Sequence, residues 1–166
     1  MTNLEIERKY IIKMPDIALL SSQKNYTVSH IEQIYIKGNP GETRRVRRRV
    51  YSDKELYFET VKIRVDDMSS TEIEREITAE EYNLLAESIL EGTKPIIKTR
   101  HTFDCLGQTF EIDVYPQWQS TAITETELES RETTVNFPDF IEIIREVTGD
   151  KAYSNAAMSR VFPMEE

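Results

Sequence analysis

The stretch Glu5-Ile-Glu-Arg-Lys9-Tyr10 sets two acids and a base at alternate positions. On a strand, Glu5, Glu7 and Lys9 share one face, while Leu4, Ile6 and Tyr10 share the other. The pattern recurs along the chain. Arg45, Arg47 and Arg49 oppose Val46 and Val50, and Lys62 opposes Val61 and Ile63. Glu72, Glu74 and Glu76 oppose Ile73 and Ile77, and Lys98 and Arg100 oppose Ile97 and Phe103. Glu111 and Asp113 oppose Phe110, Ile112 and Val114, and Glu125, Glu127 and Glu129 oppose Leu128.

A one-sided sheet with a solvated face accounts for any single one of these strands. Glu5 and Lys9 alone also fit an i,i+4 pair on a helix. Full charges in strict alternation, with acidic strands beside basic ones, point instead to the inside of a closed barrel. Such a face cannot be a dry core, because each unpaired buried ion costs several kcal/mol. It can line a hydrated lumen. Arg and Lys clusters bind phosphate oxygens. Asp and Glu without His or Cys partners suit hard cations, Mg²⁺ or Mn²⁺. Carboxylates at i and i+2 lie roughly 7 Å apart along a strand, so one ion is better held by carboxylates of different strands. A lumen with both kinds of group suits a metal-bridged polyphosphate.

The elements that must position these residues are mostly strands, expected at 3–13, 26–37, 43–51, 55–65, 71–78, 94–104, 107–115 and 121–130. Leu106-Gly-Gln108 reads as a hairpin turn and Gly38–Glu42 as a looser one. Helices are expected over 79–90, with Thr78 and Glu81 as a capping box and Gly92 past the end, over 138–147 opening at Pro138, and over 154–161; a weaker one falls at 15–22. Many consecutive strands with few helices indicate an α+β domain built on a closed antiparallel β-barrel, with the whole chain, 1–166, as one domain. The formal net charge of −9 argues against general nucleic-acid binding. One cysteine, Cys105, excludes an internal disulfide. With neither a signal peptide nor an apolar run of about 18 residues, the expected location is cytoplasmic, without membrane association.

At this point the residues resemble a known family. Glu5-Ile-Glu-Arg-Lys9 is similar to the ExExK signature of the CYTH domain, or triphosphate tunnel metalloenzymes. The likeness continues in order through Arg44–Arg49, Thr60-Val-Lys62, Lys98-Thr-Arg100, Thr124–Leu128 and Glu146–Asn155, nearly end to end. It implies a tunnel of about eight antiparallel strands with helices outside. Family activities include inorganic triphosphatase, thiamine triphosphatase, an adenylate cyclase class and RNA triphosphatase. Short bacterial forms opening like this chain look most like the inorganic triphosphatases. By position, the resemblance implies Glu5, Glu7, Glu125 and Glu127 as metal ligands, with Asp113 or Glu111 nearby. It implies Lys9, Arg47, Arg49, Lys62, Lys98 and Arg100 as triphosphate ligands, with Arg45 on the same face. Glu72, Glu74 and Glu76 would balance the bases, and Lys9 or Lys62 would assist the leaving group. The stretch Pro116–Thr121 lacks the glycine expected before the late acidic strand.

Other chemistry-bearing residues have bland readings. His30 and His101 lack metal spacing and read as surface or packing residues, His101 facing outward. Trp118 near a turn reads as packing, the alternative being a platform for a thiazole or base. Asp150 and Lys151 fit either a lid over the tunnel or an ordinary loop. The alternatives to a triphosphatase are a cyclase and a non-catalytic polyphosphate-binding module. The expected partner is a small triphosphate, and the chain is a monomer or a homodimer.

Overall fold

The computed structural model describes residues 2–165. The alternating stretches form strands β1 (Thr2–Lys13), β2 (Lys24–Ile36), β3 (Thr43–Val50), β4 (Glu55–Arg64), β5 (Ser69–Ile77), β6 (Ile96–Cys105), β7 (Gln108–Val114) and β8 (Thr121–Glu127). All eight expected strands are present. Neighbours pair antiparallel in the order β5-β4-β3-β2-β6-β7-β8-β1, and β1 returns to β5 through Glu5 opposite Ser70, closing the barrel. The β6–β7 hairpin turns on Leu106 and Gly107, at φ 53° and 77°. A tight two-residue hairpin needs that backbone at both positions, and Gly107 adopts it without strain.

The expected helix over 138–147 does not form. Ile141 donates to Pro138 O in a single turn, and Ile143–Glu146 is a ninth strand, β9, pairing Tyr10 with Glu146 and Ile12 with Ile143. The cause lies in β1. On the edge away from β8, β1 pairs with β5 only over Thr2–Ile6. Beyond that point its backbone needs partners, and β9 supplies them. The other expected helices are shorter than the sequence suggests: α1 (Ile17–Ser21), α2 (Ala79–Ala86) and α3 (Asn155–Met158), the last preceded by a 3-10 turn at Lys151–Tyr153. Thr78 and Glu81 make the anticipated capping box on α2.

Three apolar clusters hold the barrel. Ile34, Ile36, Val46 and Ile77 face outward beneath Tyr82 of α2. Tyr10, Ile12, Phe103, Phe110, Ile112 and Ala122 face outward beneath Leu20 of α1 and the segment carrying Phe137, Phe140 and Ile141. The third cluster sits inside. Ile11, Tyr35, Ile96, Tyr115 and Ile123 continue the charged inward rows and meet Trp118, Val147, Tyr153 and Met158. The inward face is therefore charged along most of its length and apolar at one end. Each fully buried side chain of this size contributes about 1.5–3 kcal/mol. α3 and the 3-10 turn thus belong to a plug at one end of the barrel, whereas α1 and α2 pack outside.

Candidate functional site

The barrel encloses a cavity of about 400 Å³. Strand alternation delivers its walls. Glu5, Glu7 and Lys9 enter from β1, Glu125 and Glu127 from β8, Glu72 and Glu74 from β5, and Glu111 from β7. Arg45 and Arg47 enter from β3, Lys62 from β4, and Lys98 and Arg100 from β6. The segment Val147–Asp150 and residues Ser154–Ala156 complete the lining next to the plug.

The acids crowd one another. Glu7 lies directly opposite Glu127 across the β1–β8 pair, and Lys9 opposite Glu125. Like charges in such register are destabilising without a cation between them. The titration of the group reports this crowding. Burial, then the Glu72 charge, pushes the Glu5 carboxyl up to about 8. The Glu125 charge, then burial, pushes Glu7 up to about 7 against the pull of Lys62 and Lys9. Burial and the charges of Glu111 and Glu72 raise Glu127. Burial would also raise Glu125 and Glu72, but nearby bases outweigh it. Lys9 and Arg100 hold Glu125 down, and Arg45 and Lys62 hold Glu72 down.

Two lysines sit among these acids. Lys9 Nζ lies 3.3 Å from Glu125 Oε1 and donates to Tyr153 O at 2.9 Å. Lys62 Nζ lies 3.6 Å from Glu7 Oε1 and 3.5 Å from Glu72 Oε2. Among the described residues, no group of three or more acidic, His or Cys side chains is arranged as a ready metal cage. The donor set is nonetheless all oxygen, it comes from different strands, and its raised carboxyls Glu5, Glu7 and Glu127 crowd other acids, with Lys62 and Lys9 only partly offsetting the crowding at Glu7. These features fit a hard divalent cation.

The basic wall is built differently. Arg100 donates from Nε and Nη2 to the two Asp113 oxygens at 2.8 and 2.9 Å, and Lys98 Nζ lies 2.9 Å from Asp113 Oδ2. Arg100 Nη1 also reaches Glu111 Oε2 at 3.3 Å. Among the described residues Arg47 has no carboxylate partner; its Nε and Nη2 donate to Gln33 Oε1 at 3.1 and 2.8 Å. Arg45 Nε is buried without a hydrogen-bond partner among the described residues. The basic wall thus holds Arg47 without an anion, while Glu5, Glu7, Glu72, Glu74, Glu111, Glu125 and Glu127 outnumber Lys9 and Lys62 on the acidic strands and β4.

Three sequence candidates stand outside the lining. Asp113 is buried behind the wall with both oxygens taken by Arg100 and Lys98, which leaves none free for a metal. Arg49 shares the parity of Arg45 and Arg47, but its Nε donates to Ser29 Oγ at 3.0 Å and its guanidinium lies 5.2 Å from the Tyr51 ring centre. Glu76 is exposed beyond the cavity. Asp150 does line the lumen. Trp118 packs in the plug and donates to Pro163 O, away from the lining. His101 is outward and buried, with its Nδ1 2.8 Å from the Tyr26 hydroxyl. Sequence reasoning missed Gln33, Tyr35 and the Thr148–Gly149 turn. The inward parity of β2 was the available signal for the first two.

The CYTH domain model matches residues 3–160. The chain belongs to the CYTH family. The crystal structure of the inorganic triphosphatase NE1496 is similar at 26% identity, covering 96% of this CYTH chain and 97% of that one, with a TM-score of 0.60. The PH1819 protein of Pyrococcus horikoshii OT3 shares the fold at 20% identity, over 76% of this chain and 80% of its own, with a TM-score of 0.60. A putative adenylate cyclase of Bacillus halodurans shares it at 14% identity, over 79% and 83%, with a TM-score of 0.54. No curated protein matches the chain significantly. No helix among the described residues of this CYTH protein is long and apolar enough to cross a membrane.

Proposed function

We propose that this CYTH protein hydrolyses the terminal phosphoanhydride bond of a triphosphate, inorganic triphosphate above all, with Mg²⁺ or Mn²⁺ as cofactor. The observation that carries the reading is the polarity of the lumen: Arg47, held by Gln33 rather than by a carboxylate, shares one cavity with the crowded acids Glu5, Glu7 and Glu127. A triphosphate that brings a divalent cation neutralises both excesses at once. The lining is charged or bears a hydroxyl or amide apart from Met68, Val147, Gly149 and Ala156, which suits a compact anion better than a nucleoside. The likeness to a solved inorganic triphosphatase supports the same choice.

In this mechanism Glu5, Glu7, Glu125 and Glu127 would hold the cation. When bound, it supplies charge neutralisation and a more acidic water. Arg45, Arg47, Lys98 and Arg100 grip the phosphate oxygens and stabilise the charge that shifts onto them as the bond breaks, which is most of what phosphoryl transfer requires. Glu125 orients Lys9 and Glu72 orients Lys62, so that either ammonium meets the leaving oxygen. The apolar plug limits water to one end of the lumen.

The test is phosphate release from inorganic triphosphate, thiamine triphosphate and ATP, each with Mg²⁺, Mn²⁺ or EDTA, with cyclic AMP followed in parallel. Release that EDTA abolishes and that is fastest with inorganic triphosphate is expected. Glu125→Ala and Glu127→Ala should each abolish it with the fold retained, and near-normal turnover in both would sink the metal assignment. Cyclic AMP and pyrophosphate as products would replace the hydrolase by a cyclase, and tight binding without turnover would leave a binding module.

A further inference from the structure

Gln33 lies on the inward face of β2, in the stretch Ile31-Glu-Gln-Ile-Tyr35, and is fully buried. Its amide is committed on both sides. Oε1 accepts from Arg47 Nε at 3.1 Å and from Arg47 Nη2 at 2.8 Å, and Nε2 donates to the Tyr35 hydroxyl at 2.8 Å. Arg47 is only 7% exposed. A buried guanidinium normally takes a carboxylate, because its desolvation is costly. Arg100 and Lys98 follow that rule in the same barrel by sharing Asp113. Arg47 departs from it, and burial together with the charges of Arg45 and Arg100 disfavours its charged form. A glutamate is one atom type away from the glutamine and would fit the same space.

We infer that Gln33 is a positioning residue, a neutral clamp that fixes the Arg47 guanidinium and the Tyr35 hydroxyl in the lumen wall while leaving the guanidinium charge uncancelled for a substrate phosphate. The inference rests on the triphosphatase reading above and adds a reason for the neutrality of this one contact. Two bonds to a single oxygen fix the plane of the fork. The guanidinium Nη1 is not engaged by Gln33. An anion entering the lumen therefore meets a pre-oriented donor whose desolvation has already been imposed by folding.

Q33E and Q33L separate clamp from charge. Q33E keeps both acceptor bonds to Arg47, and the Tyr35 hydroxyl can turn to donate. Q33L removes the clamp without adding charge. Full-length wild type, Q33E and Q33L are compared by calorimetric titration of inorganic triphosphate in EDTA, by KM and kcat with Mg²⁺, and by thermal midpoint. The expected result is a Q33E whose thermal midpoint is kept or raised while Kd and KM rise about tenfold or more, the scale of one charge-assisted phosphate contact. A merely structural role for Gln33 would leave Kd and KM unchanged in Q33E, and that result overturns the inference. In Q33L, kcat/KM is expected to fall about tenfold or more, and an unchanged kcat/KM overturns the inference even if Q33E fails to fold. A wild type that neither binds nor turns over triphosphate overturns the triphosphatase reading and this inference with it. Wild-type binding matched by Q33E overturns the inference alone.

Discussion

Asp113→Asn attacks the most concentrated charge arrangement in the barrel. The Asp113 side chain is 2% exposed, Lys98 1% and Arg100 9%. One carboxylate compensates two buried cations through contacts of 2.8, 2.9 and 2.9 Å. Asparagine keeps the shape but turns one acceptor into a donor facing those cations. Removing one partner of such a buried network costs roughly 3–5 kcal/mol. For a chain of this size, about 3 kcal/mol corresponds to a thermal midpoint lower by about 6–12 °C. One relief is available. Burial has already pushed the Lys98 ammonium down to about 7, so it can shed its proton, whereas Arg100 cannot. In the unfolded chain Lys98 keeps its proton to about 10.4. Loss of Asp113 lowers the folded value further. Between that new value and about 7, the folded variant has lost a proton that the folded wild type keeps, so the variant gains stability with pH while the wild type does not. The deficit is therefore largest near pH ~5.5 and smaller near pH ~8, read by urea unfolding at both. A deficit under about 1 kcal/mol at the lower pH, or one that grows with pH, refutes the assignment of Asp113 as the shared counter-ion.

The acidic wall gives the opposite pH response. Glu5 and Glu7 titrate at about 8 and about 7 when folded, against about 4.3 unfolded, so the folded state binds more protons in that window and metal-free stability falls as pH rises from about 5 to about 8. Mg²⁺ or Mn²⁺ should raise the thermal midpoint more at the upper pH than at the lower, and an equal effect at both would contradict the carboxylate site. Gly149→Ala should cost about 1–3 kcal/mol in urea unfolding, because Gly149 has φ +75° and an added Cβ would meet Asp67 Cβ at 2.9 Å. A loss below about 0.5 kcal/mol would show that the turn relaxes freely.

The barrel strands were legible because a wet lumen demands full charges at every second residue. Few other structures sustain Glu5/Glu7/Lys9, Arg45/Arg47 and Glu125/Glu127 in one chain. The helix expected over 138–147 failed for a non-local reason: Ile141, Ile144 and Arg145 carry a helical spacing, but the unpaired edge of β1 recruits Ile143–Glu146 as a strand. Four residues give no period long enough to reveal that.

The site divides the same way. Parity alone assigns Glu5, Glu7, Lys9, Lys62 and Glu125 to the lumen, because alternation is a property of each strand by itself. Parity cannot say where along the barrel a row ends. Asp113 and Arg49 share the inward parity, yet Asp113 is consumed as a counter-ion and Arg49 lies beyond the lining, while Ile11, Tyr115 and Ile123 on the same rows become the plug. Strand periodicity and charge are written locally, so the sequence alone determined a closed, charge-lined barrel. Which cation receives a carboxylate, which receives only Gln33, and which end is sealed depend on strand register and on a C-terminal segment folded back onto β1. Those are contacts between different strands and segments, from Arg47 with Gln33, 14 positions apart, to Lys9 with Tyr153, 144 apart, and only the tertiary structure brings them together.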